Sequence, residues 1–333
     1  MRAAVIREHG GPETIGVEHV PVPRPGPKDA LVRVAVCALN HLDIFVRRGM
    51  PGLPIPLPHI SGGDIAGVVA DVGSDASGDL VGATVLVDPA VDGGAIGEDR
   101  PGGLAEYVVV PASNLLRLPA DAPLEAFAAL PIAYGTAHRM LFHRAALQAG
   151  ETVAVLGASG GVGVACVQLG KRAGTRVIAC TSSAAKAEQL RELGADDVID
   201  VTEDDFSGAI WRLTGKQGAD VVVDYTGEQT WAGSIRCTRH GGRVVTCGAT
   251  TGYEAITDLR YVWRRELDIR GSDGWTRDDL ETLVRLVVDG DLRPVIHGVF
   301  ELDDIRLAIA ELEERRALGK VIVRVENAQQ ERR

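Results

Sequence analysis

The chain has 333 residues, of which 45% are hydrophobic and 24% charged, and this length and composition suit a globular protein of two domains. Its formal net charge of -11 argues against a nucleic-acid partner, because phosphate binding requires a basic surface. The N-terminal residues lack the apolar core of a signal peptide, and no apolar run approaches the roughly 18 residues of a membrane span. We therefore expect a cytoplasmic protein.

Residues 1 to about 120 have the pattern of a mainly β domain. Short runs suited to strands are separated by turns that are rich in glycine and proline. The predicted strands cover residues 31–36, 67–72, 84–87 and 107–110. Helical patterns follow at 124–129 and 133–147. This part is expected to form a β domain with a partly closed barrel character.

A glycine-rich turn follows at residues 152–163, which read TVAVLGASGGVG. Residues 153–156 are typical of a buried parallel strand, and a helical run covers 164–172. Strand, glycine turn and helix in this order predict a cradle for the phosphates of a dinucleotide, because the helix N-terminus attracts anions. Another phosphate ligand is the alternative. The residues expected to bind the cofactor here are Gly157, Ala158, Ser159, Gly160, Gly161, Val162 and Gly163.

Further strands and helices alternate after this turn. Strands are predicted at 176–180, 198–200, 221–225, 243–247 and 268–271, and helices at 184–193 and 203–213. This alternation predicts a doubly wound parallel sheet, so the fold class is α/β. The C-terminal part is predicted to contain a helix at 277–288, a strand at 295–300, a helix at 303–315 and a strand at 320–325. The polar residues 327–333 are expected to form a frayed end.

An ordered set of motifs resembles the medium-chain dehydrogenase/reductase superfamily over nearly the whole chain. GASGGVG at 157–163 has the form usual for its quinone-reductase branch. The other motifs are NHLD at 40–43, GGDIAGVV at 62–69, GGLAEY at 102–107, TA at 136–137 and CGA at 247–249. The resemblance implies a GroES-like domain at 1–120 and 272–333 and a Rossmann NADP-binding domain at 121–271. It also implies a homodimer.

The zinc ligands of the alcohol-dehydrogenase branch are missing by residue type. The resemblance places the first ligand position at Asn40, the second within Gly62-Gly63-Asp64 and the third near Ile132. Zinc sites require nitrogen or sulfur donors at about four corners, so we expect no metal. The stretch 90–103, where a structural zinc lobe would lie, contains no cysteine. A non-standard site built from nearby residues is the alternative, and its members would be Cys37, His41, Asp43 and His59.

The end of the second predicted strand favours NADP(H) over NAD. An NAD enzyme usually has an Asp or Glu there to bind the ribose 2′-hydroxyl, but residues 179–183 read ACTSS. Ser182 and Ser183 can donate hydrogen bonds to a 2′-phosphate, and Lys186 can supply positive charge, as the matching lysine does in the quinone-reductase family. The alternatives are a solvent-facing charge for Lys186 and a helix N-cap for the serines.

The resemblance also assigns residues near the nicotinamide. It places Asn40 and Asp43 beside the ring as catalytic candidates, with Phe45 next to them. The alternative for Asp43 is an N-cap or turn residue. Tyr134 is a further candidate as a proton donor, against the alternative of a core or rim residue. The remaining expected cofactor contacts are Thr136, Gly248, Ala249 and Ser272, with Asp273 close by.

Together these features predict an NADPH-dependent oxidoreductase that transfers hydride to an electrophilic carbon. The substrate would be a small quinone or α,β-unsaturated carbonyl, and no zinc would take part. One alternative is an alcohol dehydrogenase or aldehyde reductase with an atypical metal site. The other is a nucleotide-binding protein whose enzymatic activity is secondary.

Overall fold

The computed structural model describes residues 1–50 and 52–325, and the chain divides into two compact units. The first unit comprises Met1–Ile132 and the chain from Leu280 onward, and the second is Ala133–Asp279. The sequence predicts divisions after residues 120 and 271. Both observed divisions lie later in the chain. At the first division the reason is packing, because Leu124 and Ala128 contact the core of the first unit. The predicted frayed end at 327–333 lies outside the described residues.

The first part of the chain forms the strands of the GroES-like unit. The strands are β1 (Arg2–Ile6), β2 (Ile15–His19), β3 (Asp29–Leu39), β4 (Asp64–Val72), β5 (Thr84–Val87), β6 (Ala90–Val91), β7 (Gly94–Ala95), β8 (Tyr107–Pro111) and β9 (Leu115–Arg117). The helices are α1 (His41–Arg48) and α2 (Leu124–Ala128). The sequence analysis did not predict β1 and β2, which pair antiparallel with each other.

The second unit is a parallel six-stranded sheet with helices between its strands. Its strands are β10 (Thr152–Val155), β11 (Arg176–Thr181), β12 (Asp197–Asp200), β13 (Ala219–Val223), β14 (Thr238–Thr246) and β15 (Asp268–Gly271). The helices are α3 (Thr136–His138), α4 (Gly161–Arg172), α5 (Ala187–Glu192), α6 (Phe206–Leu213), α7 (Trp231–Cys237) and α8 (Leu259–Arg265). The strand order β12-β11-β10-β13-β14-β15 confirms the predicted doubly wound fold.

The C-terminal part of the chain returns to the sheet of the first unit. It contains α9 (Arg277–Val288), β16 (Ile296–Glu301), α10 (Ile305–Glu313) and β17 (Lys320–Arg324). The seven-stranded sheet has the order β16-β17-β3-β4-β5-β9, with β8 also pairing with β3. Val321 on β17 pairs with Leu39 on β3, so Lys320 is brought to the place where β3 ends and α1 begins.

The helix predicted at 133–147 has an unusual form. A π-helix over Leu130–Gly135 precedes α3, and a second π-helix over Arg139–Arg144 follows it. A π-helix has a wider turn than an α-helix, so it changes which side chains lie on a common face. Among the described residues, no helix has both the length and the apolar character that crossing a membrane requires.

Candidate functional site

The glycine turn after β10 is shaped by close contacts of the backbone. Gly157 has φ +64°, and its carbonyl accepts a hydrogen bond from the Tyr225 hydroxyl at 2.6 Å. A Cβ at Gly163 would lie 2.5 Å from the Gly157 carbonyl oxygen, so a side chain does not fit there. Gly160 is the N-cap of α4, and as a glycine it has no side chain that could cap the helix. The N-terminus of α4 therefore presents backbone N–H groups suited to a phosphate.

Two buried hydroxyls at the carboxyl ends of the parallel strands have no hydrogen-bond partner among the described residues. They belong to Thr181, the last residue of β11, and to Ser272, which follows β15. Buried polar groups are normally paired, so an unpaired hydroxyl at the ligand-binding edge of such a sheet fits a bound ligand. Ser272 was predicted to contact the cofactor, whereas sequence reasoning missed Thr181.

The residues predicted to bind a 2′-phosphate follow Thr181 directly. Ser182 is exposed, and Ser183 and Lys186 are partly exposed. Ser183 precedes a 3₁₀ turn over Ala184–Lys186, but its side chain makes no capping hydrogen bond. The N-cap alternative for this serine is therefore not observed. The position of the three side chains beyond β11 suits contact with the ribose end of a dinucleotide.

Four of the five predicted contacts at the nicotinamide end, all except Thr136, line one cavity of about 710 Å³ in the second unit. It adjoins Thr246 and Gly271, the last residues of β14 and β15. The predicted residues that line it are Gly248, Ala249, Ser272 and Asp273. Thr136 is buried at the start of α3. With the glycine turn and the two unpaired hydroxyls, these residues fit a nicotinamide dinucleotide.

The structure does not support the role of proton donor for Tyr134. Its side chain is fully buried, and its hydroxyl donates to Oε1 of Gln168 on α4 at 2.7 Å. This position agrees with the alternative of a core residue. Residues 130–135 form a π-helix, and within it the Tyr134 side chain packs into the core.

A buried lysine lies against Asn40 and Asp64, within the segments to which the resemblance assigns the first two zinc ligands. Lys320 Nζ donates to the Leu39 carbonyl at 2.8 Å, to Asn40 Oδ1 at 2.5 Å and to Asp64 Oδ2 at 2.8 Å. The three protons of the ammonium group are thus all used. The side chains of Lys320 and Asp64 are only 1% and 0% exposed, so the ion pair is buried. We call Asn40, Asp64 and Lys320 the lysine cluster.

Both ends of the Asn40 amide are engaged within the lysine cluster. Its Nδ2 donates to Asp64 Oδ2 at 2.9 Å, while its oxygen accepts from Lys320. The other Asp64 oxygen accepts from the backbone N–H of Ile132 at 2.9 Å. A direct hydrogen bond from Asn40 to a substrate, as a catalytic role would require, is therefore not supported. Asn40 instead helps to hold the ion pair.

Asp43 is the third residue of α1, and it caps that helix. Its two carboxylate oxygens accept from the backbone N–H groups of Asn40 and Gly62, each at 2.8 Å. This is the capping role given above as the alternative to catalysis. Burial raises the pKa of Asp43 from 3.8 to about 6, although these hydrogen bonds and the Lys320 charge act in the opposite direction.

The residues at the expected ligand positions do not fit a zinc ion. A Cβ at Gly63 would already lie 2.9 Å from the Ile96 carbonyl and 3.1 Å from Ile132, which leaves no room for an imidazole. The Asn40 oxygen is held by an ammonium group, which would repel a second cation. The alternative set of Cys37, His41, Asp43 and His59 does not converge within ligand distance in the described part of the chain.

A second polar cluster, which sequence reasoning missed, lies in the second unit. The ligand atoms of His138, His143 and Asp279 all lie within 4.8 Å of one another. Asp279 Oδ1 is 2.5 Å from Nδ1 of His138 and 3.0 Å from Nε2 of His143. We call these three residues the histidine cluster. The two histidines are five positions apart, and this spacing gave no signal because an α-helix would separate them.

Comparisons with known proteins agree with the fold and the motifs. Residues 26–120 match the family described as alcohol dehydrogenase GroES-like domain, and residues 161–289 match that described as zinc-binding dehydrogenase. Human quinone oxidoreductase is 30% identical over 250 residues, which are 75% of this chain and 73% of that protein. The chain belongs to the medium-chain dehydrogenase/reductase superfamily. It is an oxidoreductase.

Two solved structures resemble the whole chain. An NAD-dependent alcohol dehydrogenase superposes with a TM-score of 0.93 at 39% identity, covering 98% of this chain and 100% of that one. A 2-octenoyl-CoA carboxylase reductase in complex with NADP and 2-octenoyl-CoA superposes with a TM-score of 0.86 at 30% identity. That match covers 94% of this chain and 82% of the other. One of these two neighbours is named for an alcohol substrate, and the other was solved with an enoyl-CoA substrate.

Proposed function

We propose that the protein transfers hydride from NADPH to an electrophilic carbon of a quinone or an α,β-unsaturated carbonyl compound, without a zinc ion. The observation that carries this proposal is the lysine cluster. Its ammonium group is saturated by three oxygen acceptors at the positions where the alcohol-dehydrogenase branch binds zinc. A substrate that already contains an electrophilic carbon does not depend on such a metal for its polarisation.

The second unit supplies the cofactor site. When bound, NADPH provides the hydride. The N–H groups at the start of α4 bind the pyrophosphate, with Gly157 and Gly163 allowing the close approach. Ser182, Ser183 and Lys186 bind the 2′-phosphate, because no carboxylate at the end of β11 repels it. Thr181 adds an unpaired hydroxyl at the same strand end.

The nicotinamide end is held by the residues around the cavity in the second unit. Gly248, Ala249 and Ser272 would hold the nicotinamide amide, and Thr136 would contact the ring. Hydride addition to the β-carbon of an enone moves the double-bond electrons to the oxygen and forms an enolate. Water then supplies the proton to the α-carbon, since neither Asn40 nor Tyr134 has a group free for this task.

Two of the compared proteins support this substrate class. One is named a quinone oxidoreductase, and another was solved with NADP and an α,β-unsaturated thioester. A quinone and an α,β-unsaturated thioester each contain a carbon that is electrophilic without the help of a metal ion. The homodimer and the cytoplasmic location predicted from the sequence are also part of this proposal.

The test follows the absorbance of NADPH and NADH at matched concentrations with purified protein. Acceptors are 1,4-benzoquinone, a cyclic enone and an aliphatic aldehyde, each with and without a chelator. We expect oxidation of NADPH by the quinone or the enone, insensitive to the chelator and slower with NADH. Activity with the aldehyde alone, lost on chelation, would contradict the proposal.

A second candidate is an NAD-dependent alcohol dehydrogenase, which the 39% identity to such an enzyme favours. The same assay separates the two candidates when it is run in reverse with NAD, NADP and primary or secondary alcohols. Reduction of NAD by an alcohol, with no quinone or enone activity, would establish this second candidate. The reaction would then have to proceed at the lysine cluster without zinc, or the lysine cluster would have to rearrange so that a zinc ion could bind.

A further inference from the structure

The histidine cluster contains a buried carboxylate, that of Asp279. The partners described for this carboxylate are two histidines and a threonine, and they include no lysine or arginine. Asp279 is fully buried, and its Oδ1 faces the imidazoles of His138 and His143. Its Oδ2 accepts from the backbone N–H and the hydroxyl of Thr276, at 2.7 and 2.8 Å. A buried charge is normally paired, so the oxygen between the two imidazoles is suited to a cation or a shared proton.

We propose that His138, His143 and Asp279 bind one divalent transition-metal ion of the zinc class. Two imidazole nitrogens and one carboxylate oxygen are a ligand set that suits Zn²⁺, Co²⁺ and Ni²⁺. Mg²⁺ and Ca²⁺ prefer oxygen ligands, so these ions are excluded by the same chemistry. Three protein ligands leave at least one coordination position for water.

The distances between the ligand atoms are close to those of a metal site. Metal bonds of about 2.0–2.1 Å at tetrahedral angles place neighbouring donor atoms roughly 3.3 Å apart. The Asp279 oxygen is 2.5 Å from the His138 nitrogen and 3.0 Å from the His143 nitrogen. The three ligand atoms lie within 4.8 Å of one another, so a small adjustment of the imidazoles would bring all three to this spacing around one ion.

The π-helix over Arg139–Arg144 makes this arrangement possible. On an α-helix, residues five positions apart lie on different faces, whereas the wider π turn brings them to one side. The ring centroids of His138 and His143 are accordingly only 6.0 Å apart. Single π turns inside helices are frequent at functional sites, and here the turn gathers two metal ligands.

The surroundings also resemble those of metal sites. Thr276 holds the second oxygen of Asp279 and so fixes the first toward the imidazoles, which is the outer-shell support that ligands commonly have. The side chain of His143 is half exposed, so an ion can enter from solvent.

The test is calorimetric titration of the chelator-treated full chain with ZnCl₂ and, separately, with MgCl₂. We expect one equivalent of Zn²⁺ to bind, no measurable heat with Mg²⁺, and a rise of the unfolding temperature that saturates with zinc. His143→Gln replaces a half-exposed residue and should fold normally. It should weaken zinc binding by at least about tenfold, since even outer-shell changes cost roughly 10–100-fold.

His297→Gln is the matched control, because His297 also faces a carboxylate, that of Glu311 at 3.1 Å. Its zinc binding should equal that of the unchanged protein. No zinc binding to the unchanged chain would overturn the inference. Equal binding in the His143→Gln variant would also overturn it and would indicate a site elsewhere. These readouts are independent of the proposed function, which concerns turnover and not metal affinity.

Discussion

The lysine cluster and the histidine cluster solve the same physical problem in different ways. Each contains a fully buried carboxylate, that of Asp64 in the first unit and that of Asp279 in the second. Asp64 receives an ammonium group from the chain itself, and the three protons of this group are all bonded. Asp279 receives two imidazoles and a threonine, so one oxygen is available to an added cation.

The difference shows that the location of a metal-like cluster is a poor guide to its chemistry. The lysine cluster lies at positions where the sequence resemblance places zinc ligands, but it already contains its own cation and has no room for an imidazole at Gly63. The histidine cluster lies outside the motifs that suggested the family, yet it has the donor atoms. Whether such a cluster suits a metal ion depends on whether the charge of its buried carboxylate is already balanced.

Removing the lysine of the lysine cluster should have the largest effect on stability. Lys320→Met leaves Asp64 buried and unpaired, which costs about 3–5 kcal/mol of unfolding free energy. Urea unfolding measures this loss. The control is Lys171→Met, whose partner Asp196 lies 2.6 Å away in a half-exposed pair, and which should cost about 0–1 kcal/mol. Equal effects of the two changes would contradict the account of the lysine cluster.

The pH dependence of stability tests the carboxyl group beside the lysine cluster. The pKa of Asp43 is about 6 in the folded protein and 3.8 in the unfolded chain, so the folded state binds more protons between these values. Its contribution to stability is therefore complete below pH 4 and is lost as the pH rises through 6, by about 3 kcal/mol.

Asp43→Asn removes the titrating group and serves as the reference for this measurement. The difference in unfolding free energy between the unchanged protein and this variant should fall between pH 4 and 6. Above that range it should stay constant. A difference that does not change with pH, or that rises, would show that the carboxyl of Asp43 is not destabilised by burial.

The glycine turn tests the cofactor side of the molecule. Gly163→Ala places a Cβ 2.5 Å from the Gly157 carbonyl oxygen, which should cost about 1–3 kcal/mol of stability and weaken NADPH binding. Gly78→Ala is the control, since a Cβ there meets nothing within 4 Å. Denaturant unfolding and NADPH titration by fluorescence measure both effects. Unchanged NADPH affinity in the Gly163 variant would separate the turn from the cofactor.

The smallest expected effect concerns the choice between the two cofactors. Lys186→Ala removes a partly exposed charge that we place at the 2′-phosphate, and charged hydrogen bonds contribute about 1.5 kcal/mol at the low end. The value of kcat/KM for NADPH should therefore fall by roughly tenfold, while that for NADH stays the same. Equal losses with both cofactors would remove Lys186 from the 2′-phosphate site.

Local signals in the sequence account for most strands of the Rossmann fold and for the helix that follows it. The strand at 268–271 and the helix at 277–288 were predicted with the bounds that the structure has. The glycine turn was also predictable, because it depends on neighbouring residues in one strand–turn–helix segment. Strand β14 begins earlier than predicted, at Thr238, since its first residues, TRHGG, are polar or glycine and lack a strand pattern.

The two polar clusters could not be predicted in the same way. Lys320 meets Asp64 across 256 positions, and this contact depends on the pairing of β17 with β3, which no local pattern specifies. The histidine cluster depends on a π-helix, and a prediction based on α-helical spacing separates its members. The sequence therefore indicated that zinc ligands were missing, but not that a lysine takes their place.

The most direct test of the central claim is steady-state oxidation of NADPH by a quinone, using protein stripped of metal by a chelator. It is run on the unchanged chain and on His143→Gln, so that an effect of an ion bound at the histidine cluster can be recognised as a difference between the two proteins. We expect equal turnover before and after stripping in both proteins. Loss of turnover on stripping and its return with added Zn²⁺, in both proteins alike, would contradict the account of the lysine cluster.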